Sequence, residues 1–347
     1  MIPLQQSIAA YEDGLRAAFG PDFREDDLRR KHKRMRESAF LFLRATCWRW
    51  AEAASELCPR LMEAPAVGSV GDAHAGNFGL WRDADARLVW GVNDFDEAAV
   101  TPYTLDLVRL CASVLLAGGR AEAGGVAASV LAGYRRGLSA PEPFVLEREH
   151  LWLRDAFAAS DTQREDFWQE IEGLADEPDV PAAYRATALA ALPPDGIVRM
   201  ARRSAGAGSL GRPRFVAHGR FLGGPMAREV KGRVPSCWPG TPDPGLAARL
   251  IKGSWRAPDP FLAFSDTHVL RRLAPNSRKL KFADLRRRLG ERLYGAMGAD
   301  LGAIHAQADG AAAAITADLK RRRGTWLADA ATRVAAWTEQ EFRAYRR

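Results

Sequence analysis

Two blocks of short β-prone runs, punctuated by glycine, asparagine and aspartate, interrupt a chain that otherwise reads as helix. The first is VGSVGDAHAGNFGLW followed by RLVWGVNDFDEAAV; the second is IVRMARRSAGAGSLGRPRFVAHGRFLGGPMAREVKG. That alternation points to an α+β fold. Residues 1–60 carry Leu28, Met35, Phe40, Leu41, Leu43, Trp48 and Trp50 at near-helical spacing until Cys58 and Pro59 interrupt. A helix is expected from Thr104 to about Arg136, with LDLVRLCASVLLAG as its buried part. Residues 140–195 are expected to be mostly helical with proline-rich joints, and Pro193-Pro194-Asp195-Gly196 is the clearest turn. The second block reads as a small meander sheet. The tail from Asp284 returns to helix, most amphipathic over LYGAMGADLGAIHA.

A chain of 347 residues, 47% of them hydrophobic, can bury a full core and has the length of two lobes. Cys47, Cys58, Cys111 and Cys237 are scattered without a CxxC pair, which indicates neither a zinc site nor a disulfide framework and suits a reducing cytoplasm. No export signal is expected at the N-terminus, and no apolar stretch reaches the roughly 18 residues of a membrane helix. The net charge of +7 comes largely from arginine and suits phosphate-rich partners. Basic runs such as Arg286 to Arg288 read more simply as solvated helix faces, without the interleaved aromatics of a nucleic-acid surface, so no specific nucleic-acid partner is expected.

The loop Gly71-Asp72-Ala73-His74-Ala75-Gly76-Asn77 sets an aspartate and an asparagine on a glycine-flanked turn, and Asp94 follows within a short strand-turn-strand. Phosphoryl transfer needs one carboxylate to face the acceptor hydroxyl, and an amide oxygen and a second carboxylate to hold magnesium against the phosphates. Leu80-Trp81 and Leu88-Val89-Trp90 flank Asp83-Ala84-Asp85-Ala86 as a hairpin that would carry Asn77 and Asp94 into one cleft. Taken singly, these residues are ordinary turn formers. His74 is a poor magnesium ligand and is expected to hold the loop through a ring N–H bond.

GDAHAGNFG, VNDFDEA and PYTLDLVRL resemble the signature of the family catalogued as domain of unknown function 2252. They are also similar to the HGDxxxxN and IDxx motifs of aminoglycoside phosphotransferases and related small-molecule kinases. The resemblance implies a protein-kinase-like fold with Asp72 as catalytic base, Asn77 and Asp94 as metal ligands, and Asp96 as a possible auxiliary ligand. It implies that Asp106 ties the catalytic loop to the following helix through backbone amides. Val70 stands where many of those kinases have histidine, so that imidazole's hydrogen bond is absent or replaced.

Gly206-Ala207-Gly208-Ser209-Leu210-Gly211 fits GxGxxG between two β-prone runs, the hairpin setting of kinase glycine-rich loops; a dinucleotide fingerprint would need a helix there. The strand PMAREVKG then brings Lys231, the only lysine between Lys33 and Lys252, into the place of a kinase phosphate-binding lysine. No helix glutamate is available to orient it. Glu229, on the same strand face, and Asp259, at an acidic position of the resembled pattern, are the candidates. Arg202 and Arg203 are further candidates for phosphate contact.

In ordinary kinases the glycine loop and lysine precede the catalytic loop; here they follow it, and LGAIHA near the C-terminus resembles the segment that leads into HGD. We therefore expect a circularly permuted protein-kinase-like two-lobe fold. A small β-rich nucleotide-binding lobe spans 196–285, and a larger helical lobe is built from 61–195 and 286–347, with residues 1–60 as an N-terminal helical segment. The expected function is an ATP-dependent phosphotransferase using magnesium (Mg2+) on an unidentified acceptor, with a small molecule preferred over a protein. The alternatives are a non-catalytic nucleotide-binding pseudokinase and nucleotidyl transfer with the same parts. A metallophosphoesterase would need further Asp and His ligand blocks that are missing.

Overall fold

In the computed structural model, residues 1–118, 121–193, 197–206, 208–240, 242–279 and 290–347 are described. The first β block folds around Asp83. Its buried carboxylate accepts the backbone N–H groups of Asp85 (3.1 Å) and Arg87 (2.9 Å) and the Arg87 Nε (2.8 Å), which closes the turn of the expected hairpin. Strands β1 (Ala66–Ser69), β2 (Phe78–Arg82), β3 (Leu88–Val92) and β4 (Ala99–Pro102) come from this block, and β5 (Phe144–Val145) follows later. The hairpin is β2–β3, antiparallel from Phe78↔Val92 to Arg82↔Leu88, while β1 pairs with β4. Asn77 precedes β2 and Asp94 follows β3, so the register brings the two together.

The second block folds as β6 (Ile197–Arg202), β7 (Arg214–Phe221) and β8 (Gly224–Gly232), an antiparallel meander extended by β9 (Ala263–Phe264) and β10 (His268–Leu273) in the order β6-β7-β8-β10-β9. A further strand, β11 (Arg278–Lys279), leaves this sheet and pairs with β2, opposite Leu80 and Gly79. The 195/196 and 285/286 boundaries expected from sequence, and the centre of the Pro193–Gly196 turn, lie outside the described residues.

Helices α1 (Leu4–Phe19), α2 (Glu25–Met35), α3 (Ala39–Ala45) and α4 (Cys47–Leu57) precede the first sheet. Next come α5 (Tyr103–Leu116), α6 (Ala123–Ser139), α7 (Leu151–Phe157), α8 (Asp161–Glu172) and α9 (Ala182–Ala190). The helix expected from Thr104 to about Arg136 is therefore two, and Gly118, at φ 83°, stands just past the end of α5, as left-handed glycines do at helix ends. Then α10 (Leu246–Ile251) lies between β8 and β9, and α11 (Glu291–His305), α12 (Ala311–Arg321) and α13 (Trp326–Arg346) end the chain.

Alternation along the β6–β10 sheet gives it two apolar faces, and a helix covers each. Tyr184 and Ala188 of α9 pack on Met200, Phe215, Ala217 and Val230; Ile171 of α8 packs on Val216, Ala227 and Leu273. The large core gathers β1–β3, α5, α6, α11, α12 and α13, and takes in Leu246, Leu250 and Ile251 of α10. At its centre α6 and α11 cross in near backbone contact. A Cβ added to Gly133 would lie 1.8 Å from the Gly295 carbonyl oxygen, and one at Gly298 would lie 2.1 Å from that of Val130. The fold is thus mixed α+β, and no described helix is long and apolar enough to cross a membrane.

Candidate active site

The Gly71–Asn77 loop is held from below by a carboxylate. Asp106 on α5 accepts the N–H groups of Val70 (2.8 Å) and Gly71 (3.0 Å), and His305 at the end of α11 reaches its Oδ2 at 3.1 Å. Tyr134 of α6 in turn meets the other ring nitrogen of His305 at 2.8 Å. Gly71 takes φ 76°, and a Cβ there would stand 1.9 Å from the Glu97 carbonyl oxygen, so only glycine fits between the two loops. The Ala75 N–H donates to Ser113 Oγ (2.8 Å), and the His74 carbonyl accepts the Asn77 N–H (2.8 Å).

His74 does not hold the loop through its ring, contrary to the expectation. Its Nδ1 is buried without a partner among the described residues, and its Nε2 stands 3.7 Å from Asp72, beyond hydrogen-bond reach. Burial and the neighbouring Arg44 and Arg109 charges keep the imidazole neutral, well below its usual titration range.

Asp72 is gripped by Arg109 of α5, whose Nε donates to Oδ1 at 2.7 Å. Burial raises the Asp72 carboxyl to about 6 despite the opposing Arg109 charge. The Asn77 amide is oriented by its Nδ2, which donates to the backbone carbonyls of Asp72 (3.1 Å) and Asp94 (2.9 Å). That leaves Asn77 Oδ1 buried with no partner among the described residues. An orphaned amide oxygen suits a hard cation that takes its remaining ligands from carboxylate, phosphate and water, as magnesium does. Among the described residues no group of three or more His, Cys, Asp or Glu is placed to hold a metal by itself.

Asp94 receives the ammonium of Lys279, carried in by β11, and its Oδ1 accepts the Asp96 N–H (3.2 Å). Burial works against its charge, yet Lys279 and Lys231 hold it well below the ordinary carboxylate range. Asp96 pairs with Lys231 and with Arg212 (3.3 Å). Lys231 is therefore oriented by Asp96, not by either acid expected from the sequence. Glu229 lies on the same strand face but is fully buried among Arg214, Arg271 (2.7 Å) and Arg203 (3.3 Å), which hold its carboxyl far below the usual range against the cost of burial. Asp259 lies in a separate small pocket, where it pairs with Arg272 (3.1 Å) and accepts the Phe261 N–H (2.9 Å).

The glycine loop joins β6 to β7. Gly206 (φ 79°) and Gly211 (φ 98°) both take left-handed backbone, and Ser209 Oγ accepts from Arg214 (2.7 Å); Ala207 lies outside the described residues. The N-terminal helices brace it. The Gly211 carbonyl accepts the Arg24 N–H (3.0 Å), and a Cβ at Gly208 would sit 3.1 Å from the Arg44 carbonyl. Gly206, Gly208, Ser209 and Lys231 line the same cleft as Asp72, Asn77, Asp94 and Asp96, with a volume of about 780 Å³, within the size of small-molecule and cofactor sites. Arg203 lines it too; Arg202 instead pairs with Glu177 (2.8 Å).

Several site residues escape sequence reasoning. Arg109 lies within the quoted PYTLDLVRL, and an arginine three residues after an aspartate in so apolar a helix signals a buried charged role. Arg212 and Arg214 follow the glycine loop directly. Lys279 on a two-residue strand and Arg44 among the N-terminal helices carry no local signal.

Residues 24–142 match one family model, described as Uncharacterized protein conserved in bacteria (DUF2252). Over that segment the chain is similar to the DUF2252 family. The segment holds Asp72, Asn77, Asp94, Asp96, Asp106 and Arg109, whereas the glycine loop, Lys231 and Lys279 lie beyond it. No curated protein and no solved structure matches the chain.

Proposed function

We propose that the cleft is the active site of an ATP-dependent phosphotransferase with a circularly permuted, protein-kinase-like arrangement. The observation that carries this is convergence. Asp72, Asn77 and Asp94 from the first third of the chain line one cleft with a glycine hairpin and Lys231 that follow more than about a hundred residues later, and Lys231 is ion-paired to Asp96. The end of α11 supports the permutation. Its His305 contacts the carboxylate that holds the Val70–Gly71 backbone, so the helix resembling the HGD lead-in ends beside that loop, and its imidazole stands in for the one Val70 lacks.

In this scheme Lys231 and the backbone of the Gly206–Gly211 loop position the triphosphate. Asn77 Oδ1 and the Asp94 carboxylate would hold magnesium, which neutralises phosphate charge when bound. Asp72 accepts the proton of the acceptor hydroxyl as its oxygen bonds to the γ-phosphorus and the bond to the β–γ bridging oxygen breaks, releasing ADP. Arg109 fixes the carboxylate in place.

A nucleotide-binding protein without turnover is the second reading. It is favoured by the Arg109–Asp72 ion pair, which engages one carboxylate oxygen and opposes the rise in basicity that burial brings. Labelled-phosphate transfer and ATP hydrolysis should separate the two. Asp72→Ala and Asp94→Ala are expected to lose activity by roughly 10²–10⁴-fold, with Asp72→Ala still binding nucleotide. Equal turnover in both variants and the wild type would overturn the enzymatic proposal.

A further inference from the structure

Most cations of the cleft are held by the protein, Arg278 donating to the Phe157 carbonyl at 3.2 Å. Lys231, Lys279, Arg212, Arg214, Arg271 and Arg203 each rest on a carboxylate. Arg44, in the last turn of α3, makes no hydrogen bond or ion pair with any described residue, and its Nε is shut off from solvent without a partner. Its guanidinium lies over the Phe40 ring (5.8 Å to the centroid), and a Cβ at Gly76 would stand 3.2 Å from Arg44 Nε. It therefore sits against the residue before Asn77, on the Asp72 side of the cleft.

An arginine without a partner at the wall of a cleft is costly unless something supplies negative charge. Burial pulls the Arg44 guanidinium below its usual range; the Asp72 and Asp94 charges favour its protonated form, and Arg34 opposes it. Arg34, exposed on α2, lines the same cleft and has no ion-pair partner among the described residues, so two like charges face one space. Glu37, exposed on the same wall, pairs with neither. Paired guanidiniums match the planar oxygens of a phosphate or carboxylate, which they bind in bidentate fashion.

We propose that the acceptor of the transfer is an anionic small molecule whose phosphate or carboxylate group is gripped by Arg44 and Arg34 while its hydroxyl faces Asp72. This rests on the phosphotransferase reading and assigns its substrate class. The N-terminal helices then supply the acceptor's anion site beside the glycine loop that they brace, with the Arg44 side chain turned to Gly76 and its carbonyl to Gly208. Arginines without a carboxylate partner select the acceptor, and the ion-paired cations hold the triphosphate.

The test is calorimetric. Protein saturated with magnesium and a non-hydrolysable ATP analogue is titrated with inorganic phosphate, and separately with malonate, for wild type, Arg44→Gln, Arg44→Lys and Arg34→Gln. Binding of at least one anion to the wild type is expected, weakened about tenfold or more in Arg44→Gln, less in Arg44→Lys, and with the analogue's own affinity within about threefold throughout. Melting curves confirm that each variant is folded. Analogue binding with no anion binding would overturn this proposal and leave the phosphotransferase standing. So would an Arg44→Gln variant that loses the analogue but not the anion. Failure of the analogue to bind wild type would instead sink the phosphotransferase reading, and the acceptor role with it.

Discussion

Lys31 shows how far a residue's chemistry depends on its surroundings. Its ammonium lies 4.9 Å from the ring centroid of Tyr11 and 4.8 Å from that of Trp48, rings that stack at 3.8 Å, and it has no hydrogen-bond partner among the described residues. Burial, helped by the Arg212 charge, lowers its pKa to about 7. In the unfolded chain a lysine titrates near 10.4, so between those values the unfolded state holds the proton more tightly and stability rises with pH. Urea unfolding at pH 7 and pH 10 should show the wild type gaining on a Lys31→Met variant by on the order of a few kcal/mol; a constant difference would show the amine is not desolvated. Arg109 poses the reverse case. Arg109→Met leaves the half-buried Asp72 carboxylate without its partner and is expected to cost about 1–3 kcal/mol in chemical denaturation. Asp72, Asn77 and Asp94 stood out in the sequence because three oxygen donors cluster around one short hairpin. Arg109, Arg44 and Lys31 did not, because cations on helices read as solvent-facing until the packing around them is known.

At the scale of elements, turn chemistry and alternation were readable where they act locally. Asp83 closes the β2–β3 hairpin, and apolar alternation over Arg214–Gly232 gives a sheet with two covered faces. The helix crossing was not readable. LYGAMGADLGAIHA shows its glycines, yet only the partner helix reveals that Gly298 and Gly302 stand where Cβ atoms would strike the Val130 and Tyr134 carbonyls. Gly298→Leu should force α6 and α11 apart and lower stability by about 1–3 kcal/mol or more in thermal unfolding. Because His305 at the end of α11 bears on Asp106, the same variant is expected to weaken binding of the magnesium nucleotide. A variant with wild-type melting behaviour would show the crossing to be looser than the backbone contacts imply. The two-residue β11 left no periodic trace, although it delivers Lys279 to Asp94.

Across the whole molecule, the N-terminal helices bind the parts together. Leu15, Phe23 and Leu28 pack against Val234 just past β8, while Ile8, Met35 and Phe42 pack against Tyr345 of α13. They also carry Arg34 and Arg44 to the cleft, so they complete the site as well as the core. A ligand that spans the cleft should therefore stabilise the entire chain. At about 100 times its dissociation constant, the magnesium nucleotide is expected to raise unfolding free energy by about 2.7 kcal/mol. Lys231→Met should lose that gain at the same ligand concentration; a shift as large as that of the wild type would place the triphosphate elsewhere.

The order of residues by itself determined the local features: the oxygen-rich turns, the glycine hairpin, the helical stretches and the mixed α+β character, all set by steric and hydrogen-bonding preferences over a few neighbouring residues. Tertiary structure decided which charges meet. Lys231 rests on Asp96 rather than Glu229 or Asp259, Lys279 reaches Asp94, and His305 reaches Asp106, because ion pairs form between groups that the folded backbone brings within a few ångströms, whatever their separation along the chain.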